Sequence, residues 1–289
     1  MDQVLPSLLQ SLPVLGLGAT AAAVLYWRRD LDPAVFDEVP PRRTGLALMD
    51  LFLGLWILLA AQFFLPPLLR LLLIPLPGGV VAPTLRDSAV TNLLGQCVTH
   101  VPIILFALWQ AGREPQGVGE FGVISRRPGR EIAAGLLALL AALPMVLASS
   151  TALLLLSRLV NLPAPTIGHA MLESLLESRD GVASALMIIS AVHVAPILEE
   201  LVYRGLVQSS LLAVLGPARR WTVIFLAAGL FAFIHGGVAT WQVLPGLFIL
   251  GIVLGWLYEK HRSLLPGIVL HMAFNWVNIG LAMWQGGAS

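Results

Sequence analysis

Apolar runs too long for a soluble fold to bury dominate this chain. Crossing the hydrocarbon core of a bilayer takes about 20 mostly apolar residues. Eight stretches qualify: roughly Val4–Trp27, Gly45–Leu69, Thr91–Ala111, Glu131–Val160, Val182–Val202, Trp221–Ala239, Trp241–Tyr258 and Leu264–Trp284. Of the 289 residues, 57% are hydrophobic and only 11% charged, where a soluble domain carries roughly a quarter charged residues. A larger soluble core would need a larger charged surface, so the solvent for these runs is lipid. The expected fold is all-α: a polytopic membrane bundle of about eight transmembrane helices. A net charge near +1 gives no reason to expect nucleic acid as a partner; membrane lipids are the expected surroundings. The acidic start Met1-Asp2-Gln3, with positive charge only after the first run at Arg28 and Arg29, reads as an uncleaved first span rather than a signal peptide.

Basic residues set the expected orientation. Alternate connections hold Arg28, Arg29, Arg42 and Arg43; Arg113, Arg126, Arg127 and Arg130; Arg204, Arg219 and Arg220; and Lys260 and Arg262, thirteen of the seventeen Lys and Arg. The positive-inside rule places these on the cytoplasmic side, and eight spans then leave both termini outside the cytoplasm. One outside connection has helical spacing of its own, with Ile167, Met171, Leu172, Leu175 and Leu176 interleaved by Glu173, Glu177 and Arg179. It reads as a short interfacial helix lying on the headgroups, or as a lid over a cavity. Residues 1–130 read as an accessory half of about three spans and residues 131–289 as a working half of about five.

The working half carries ionisable groups inside its spans. Each costs about 2.5–3.5 kcal/mol at the bilayer centre even on lenient scales, so such groups persist when they face inward and find partners. Span five ends Pro196-Ile-Leu-Glu199-Glu200-Leu-Val-Tyr-Arg204. Glu200 and Arg204 share a helix face at i,i+4 and can pair. Glu199 points elsewhere and is left to face a cavity; burial beside a like charge is how a carboxyl is prepared for general acid or base work. Pro196 favours a kink just ahead of the pair. Span six holds Phe231-Ala-Phe-Ile-His235, and span eight His271-Met-Ala-Phe-Asn275 with Asn278 one turn on. His271 and Asn275 share a face and can together hold a water, a metal or a developing oxyanion. The cheapest arrangement brings all six groups around one polar cavity, since the charged members left apart would cost on the order of 8–10 kcal/mol.

Other polar and small residues read more plainly. Asp50 is expected at the interface, His100 inside its span, and His193 in a packing or supporting role two turns before Glu200 on the same face. His169 and His261 lie in connections and are expected to be solvated. Cys97, the single cysteine, reads as a small packing residue, and Gly246, Gly251 and Gly255 as a close-packing helix face.

In this order and spacing, Glu199-Glu200-x-x-x-Arg204, Phe231-x-x-x-His235 and His271-x-x-x-Asn275 resemble the three signature motifs of the type II CAAX prenyl protease family, the CPBP or Abi intramembrane proteases. The resemblance covers roughly residues 180–280, and Tyr203 stands where the family often has Phe. It implies an intramembrane endopeptidase acting on a membrane-associated, prenylated or otherwise lipidated peptide. Glu199 and His235 would activate water, His271 and Asn275 would stabilise the oxyanion or complete the polar site, and Glu200 and Arg204 would support them. Glu199, His235 and His271 could instead ligate a divalent metal such as zinc; a metal-free route through Glu199 and His235 is the favoured one. The alternative function is a non-proteolytic immunity or regulatory partner that keeps the pocket for binding.

One conflict of depth follows from the topology. Glu199 falls near the cytoplasmic end of span five, and His235 about 20 Å along span six at ~1.5 Å per residue. The two meet if span six begins in the cytoplasm as a projecting helix or, the preferred reading, if span five enters deeper and runs on as helix past Arg204 through Gln208, on Leu206, Val207, Leu211, Leu212 and Val214.

Overall fold

The computed structural model describes residues 4–28, 33–40, 48–73, 85–113, 119, 121–163 and 168–287. These form helices α1 (Val4–Trp27), α2 (Leu48–Leu73), α3 (Leu85–Ala111), α4 (Pro128–Leu159), the short α5 (Ala170–Glu177), a composite helix from Gly181 to Leu215, then α9 (Arg220–Ile234), α10 (Leu244–His261) and α11 (Leu265–Gly287). The composite helix comprises α6 (Gly181–Ile189), a first π-helical segment (Ser190–Val194), α7 (Ala195–Glu200), a second π-helical segment (Leu201–Gln208) and α8 (Ser209–Leu215). No β-strand occurs among the described residues; one isolated bridge joins His169 to Ala239. Every expected span falls on a helix, and among the described residues six helices are long and apolar enough to cross a membrane, against the eight spans expected. The protein is a multi-pass helical membrane protein. Gly45, Arg29, Arg42, Arg43 and Ile167 lie outside the described residues.

Two helix pairs flank the centre. α1 packs along α4, and α2 with α3 packs against the composite helix. The central layer is α4, α9, α10 and α11, whose core joins Ala142, Val146, Leu250, Leu254, Leu257, Leu270 and Phe274. Small residues make the close approaches possible. A Cβ on Gly251 would meet the Ala228 Cβ at 2.9 Å, one on Gly255 the Gln208 Oε1 at 2.8 Å, and one on Gly246 the Val146 Cγ1 at 2.9 Å, so the glycine face is a packing face as expected. Where α10 and the second π-helical segment touch, Arg204 donates to the Gly251 carbonyl at 3.2 Å and Gln208 to the Gly255 carbonyl at 3.0 Å. These carbonyls are reachable because no side chain stands beside them.

The composite helix settles the question of depth. It runs on past Arg204 to Leu215, turns through Gly216 (φ +86°) and Pro217–Arg219, and returns as α9. Glu199 lies sixteen residues before the end of α8 and His235 fifteen after the start of α9. On antiparallel neighbours joined by a short turn, near-equal offsets bring the two level.

Span six is shorter than expected. α9 ends at Ile234 rather than reaching Ala239, and nine residues separate it from α10, where the expected spans Trp221–Ala239 and Trp241–Tyr258 left a single residue between them. The Val238 and Ala239 amides both close on the His235 carbonyl at 3.0 and 2.8 Å, ending the helix there. The chain then pairs with residues 168–170, Ala170 N–H to Val238 C=O at 3.0 Å and Thr240 N–H to Gly168 C=O at 2.9 Å.

Candidate active site

The π-helical turn ahead of Pro196 shapes the first wall of the site. The Ala195 amide bonds to the Ser190 carbonyl, five residues back. Continued by one residue, that register would pair the Ala191 carbonyl with the nitrogen of Pro196, which has no hydrogen to give. The Asn275 amide donates to that carbonyl instead, at 2.8 Å. Where a kink was expected the chain makes a π-turn, and the carbonyl left free ties α11 to the composite helix.

Glu200 and Arg204 form the buried support. Both are 1% exposed, with the guanidinium Nε 3.3 Å from Oε2 of Glu200. Oε1 of Glu200 takes Nδ1 of His271 at 3.2 Å. An ionised carboxylate only accepts, so Nδ1 carries the hydrogen and the neutral ring presents a bare Nε2. Gly267 makes room here, since a Cβ on it would lie 3.0 Å from Glu200 Oε2.

His235 is set up the same way from another helix. It caps the C-terminus of α9, and its Nδ1 donates to the Phe231 carbonyl at 2.7 Å. Its Nε2 is therefore also bare. Nε2 of His235 lies 3.8 Å from Oε2 of Glu199, and Nε2 of His271 lies 3.9 Å from the same oxygen. Glu199 is 20% exposed and Glu200 1%, so the adjacent carboxylates differ in access as well as in partners. Five of the six sequence-predicted residues converge, Glu199, Glu200, Arg204, His235 and His271; Asn275 lies one turn beyond His271 on the same helix, bonded to the Ala191 carbonyl. Asn278 donates to its own helix at the Phe274 carbonyl, 2.9 Å away.

Phe231 sits at the centre of this cluster and was not singled out as a site residue. It is fully buried. Its ring lies 4.6 Å from that of His235, edge-on to His271 at 5.8 Å and to Tyr203 at 5.2 Å, with the Arg204 guanidinium 5.0 Å from its centroid. Its spacing four before His235 was the signal. Tyr203 offers the same edge-to-face packing that a phenylalanine would.

His169 is a second omission and a correction. Expected to be solvated, it is half-buried on the segment paired with residues 238–240, and its Nδ1 accepts the Met171 amide at 3.2 Å as the N-cap of α5. Burial and then the nearby His235 hold it below the ordinary histidine value, against the opposing pull of Glu199. α5 itself packs on protein, with Leu175 buried against Val192 and Ile279, one turn beyond Asn275. With residues 168–170 it forms a roof segment packed on the composite helix and α11.

The remaining polar residues lie elsewhere. His193 is exposed and edge-on to Trp276 at 6.2 Å. His100 is buried and bonded to the Gln96 carbonyl at 2.7 Å. His261 is in the last turn of α10 rather than in a connection, and Cys97 is exposed on α3 rather than packed. Asp50 is in the first turn of α2. Beside the Glu199–Glu200 turn, Ile197, Leu201 and Gly205 face Ile104, Leu108 and Phe121 across an apolar cavity of about 260 Å³.

Two imidazole nitrogens and a carboxylate are donors that zinc accepts, but an edge of a tetrahedron with bonds of about 2.1 Å is only about 3.4 Å. The Glu199–His235 and Glu199–His271 edges are 3.8 and 3.9 Å. Among the described residues no group of three or more His, Cys, Asp or Glu is placed to hold a metal ion. As placed, the three donors do not fit one.

Comparison with known proteins adds one match. Residues 181–277 match the family model described as type II CAAX prenyl endopeptidase, Rce1-like. No curated protein and no solved structure matches the chain. The matched stretch begins at the first residue of α6, ends two residues after Asn275, and contains all six sequence-predicted residues. Over residues 181–277, about a third of its length, the chain is similar to the Rce1-like type II CAAX prenyl endopeptidases.

Proposed function

We propose that the protein is an intramembrane endopeptidase in which Glu199 and His235 activate a water for attack on a peptide carbonyl. The observation that carries this reading is the convergence of three acceptor atoms, Oε2 of Glu199 and Nε2 of His235 and His271, with edges of 3.8 and 3.9 Å. Such a set calls for a donor. A water ~2.8 Å from Oε2 of Glu199 and Nε2 of His235 donates one hydrogen to each, with a lone pair turned toward an incoming carbonyl. Glu199 and His235 share the water's proton as the C–O bond forms, and the proton passes to the amine as the C–N bond breaks. Glu200, held by Arg204, fixes the tautomer of His271. Asn275 holds α11 in place and lines the polar site beside it.

The substrate class in this reading is a membrane-associated peptide bearing a lipid, cut near its C-terminus. The apolar cavity between α3 and the composite helix, at Ile197, Leu201 and Gly205, suits a hydrocarbon chain. Both termini lie outside the cytoplasm, from the distribution of Lys and Arg. Residues 1–130 serve as accessory spans and 131–289 as the catalytic unit.

The test is cleavage of a fluorescence-quenched peptide ending in S-farnesyl-cysteine, two aliphatic residues and methionine. Glu199→Ala and His235→Ala are each expected to abolish cleavage in folded protein. Undiminished cleavage in both rejects the reading, and a biological effect surviving without cleavage favours a non-proteolytic partner. Cleavage is expected to survive chelation; loss that added zinc restores would put a metal in the site.

A further inference from the structure

Acyl transfer needs a hydrogen-bond donor aimed at the oxygen that becomes negative, worth several kcal/mol in a water-poor site. The converging residues have committed part of theirs. His235 Nδ1–H goes to the Phe231 carbonyl, His271 Nδ1–H to Glu200, and one N–H of the Asn275 amide to the Ala191 carbonyl. The Arg204 guanidinium lies against the Phe231 ring, which also meets Tyr203 and the two histidines.

His169 has the opposite arrangement. Its Nδ1 accepts the Met171 amide, so the hydrogen of the neutral ring is on Nε2. Backbone pairing of residues 168–170 with 238–240, which directly follow the His235 turn, holds His169 near the site. Both His235 and Glu199 act on it electrostatically. We propose that His169 is a further substrate-binding residue of this site, its Nε2–H donating to the substrate's carbonyl oxygen as that oxygen gains charge. This rests on the peptidase reading above. It also gives the roof segment a purpose: α5 and the 168–170 pairing set the position of the donor.

Two near-isosteric variants separate this role from simple helix capping. Asparagine keeps an oxygen near the place of Nδ1 and caps well, but has no donor at the Nε2 position. Glutamine places an amide N–H near the Nε2 position and gives up the cap. With the farnesylated reporter and the full chain in detergent, His169→Asn is expected to lower kcat roughly 100-fold with KM within about twofold. His169→Gln is expected to recover at least part of the loss. An His169→Asn variant as active as wild type, or at least as active as His169→Gln, overturns the proposal and leaves His169 as a cap. Glu199→Gln run alongside separates the two readings. If it cleaves like wild type, the peptidase reading fails; if it is inactive while His169→Asn is active, only the role of His169 fails.

Discussion

The Asn275 side-chain amide donates to the Ala191 carbonyl at 2.8 Å, supplying the hydrogen that Pro196 lacks. A side chain on α11 thereby completes the backbone of the composite helix. Removing it leaves a buried acceptor unpaired, which costs about 1–3 kcal/mol. Asn275→Leu is expected to lower stability by that amount in detergent unfolding. Asn275→Asp is expected to be worse, because an ionised carboxylate would face the carbonyl.

The Glu200–Arg204 pair is buried on both sides. Breaking one side of such a pair costs about 3–5 kcal/mol, because the surviving charge has no water to turn to. Arg204→Met is expected to show that loss, or to fail to accumulate. Glu200→Gln combined with Arg204→Met is expected to be more stable than Arg204→Met alone. A double-mutant unfolding cycle checks this, and a double variant less stable than both singles would contradict it.

Gly267 and Gly246 make separable predictions. A Cβ at 267 would press on Glu200 Oε2 at 3.0 Å, and one at 246 on Val146 and Ser150 at 2.9 and 3.0 Å. Both alanine variants are expected to lose about 1–3 kcal/mol through overpacking. Gly267→Ala should also lower kcat, because it displaces the carboxylate that holds His271. Gly246→Ala, away from the site, should leave kcat close to wild type in whatever protein remains folded.

His169 gives a pH dependence with a definite sign. Burial and the nearby His235 lower its value in the folded protein from the ordinary 6.5. Below about 6.5 the unfolded chain therefore binds a proton more readily than the folded one, and stability falls as pH falls through that value. The lost stability returns above it. His169→Asn is expected to flatten this part of the curve, measured as unfolding midpoint against pH between about 5 and 7.

Much of this was legible in the chain itself. The length and apolarity of the runs fix helix as the element, because a backbone in lipid has no other hydrogen-bond partner. The i,i+4 spacing of Glu200 and Arg204 predicts their pairing from helix geometry alone. The need to bring Glu199 level with His235 requires a helix continuing past Arg204, and it continues to Leu215. Less legible were the ends of span six: apolarity persists through Val238 and Ala239, but pairing with Gly168 and Ala170, from a distant part of the chain, takes the backbone out of the helix.

Sequence alone thus determined the solvent, the helices and which polar residues had to find one another, because these depend on composition and spacing along one chain segment. Tertiary structure decided how each group is used. Whether Asn275 faces a substrate or a carbonyl, which nitrogen of His271 is bare, and whether His169 meets water or the site depend on how neighbouring helices are rotated and how deep they sit. Those are set by packing at glycines 246, 251, 255 and 267, where a fraction of an ångström between helices decides which partner is within hydrogen-bond reach.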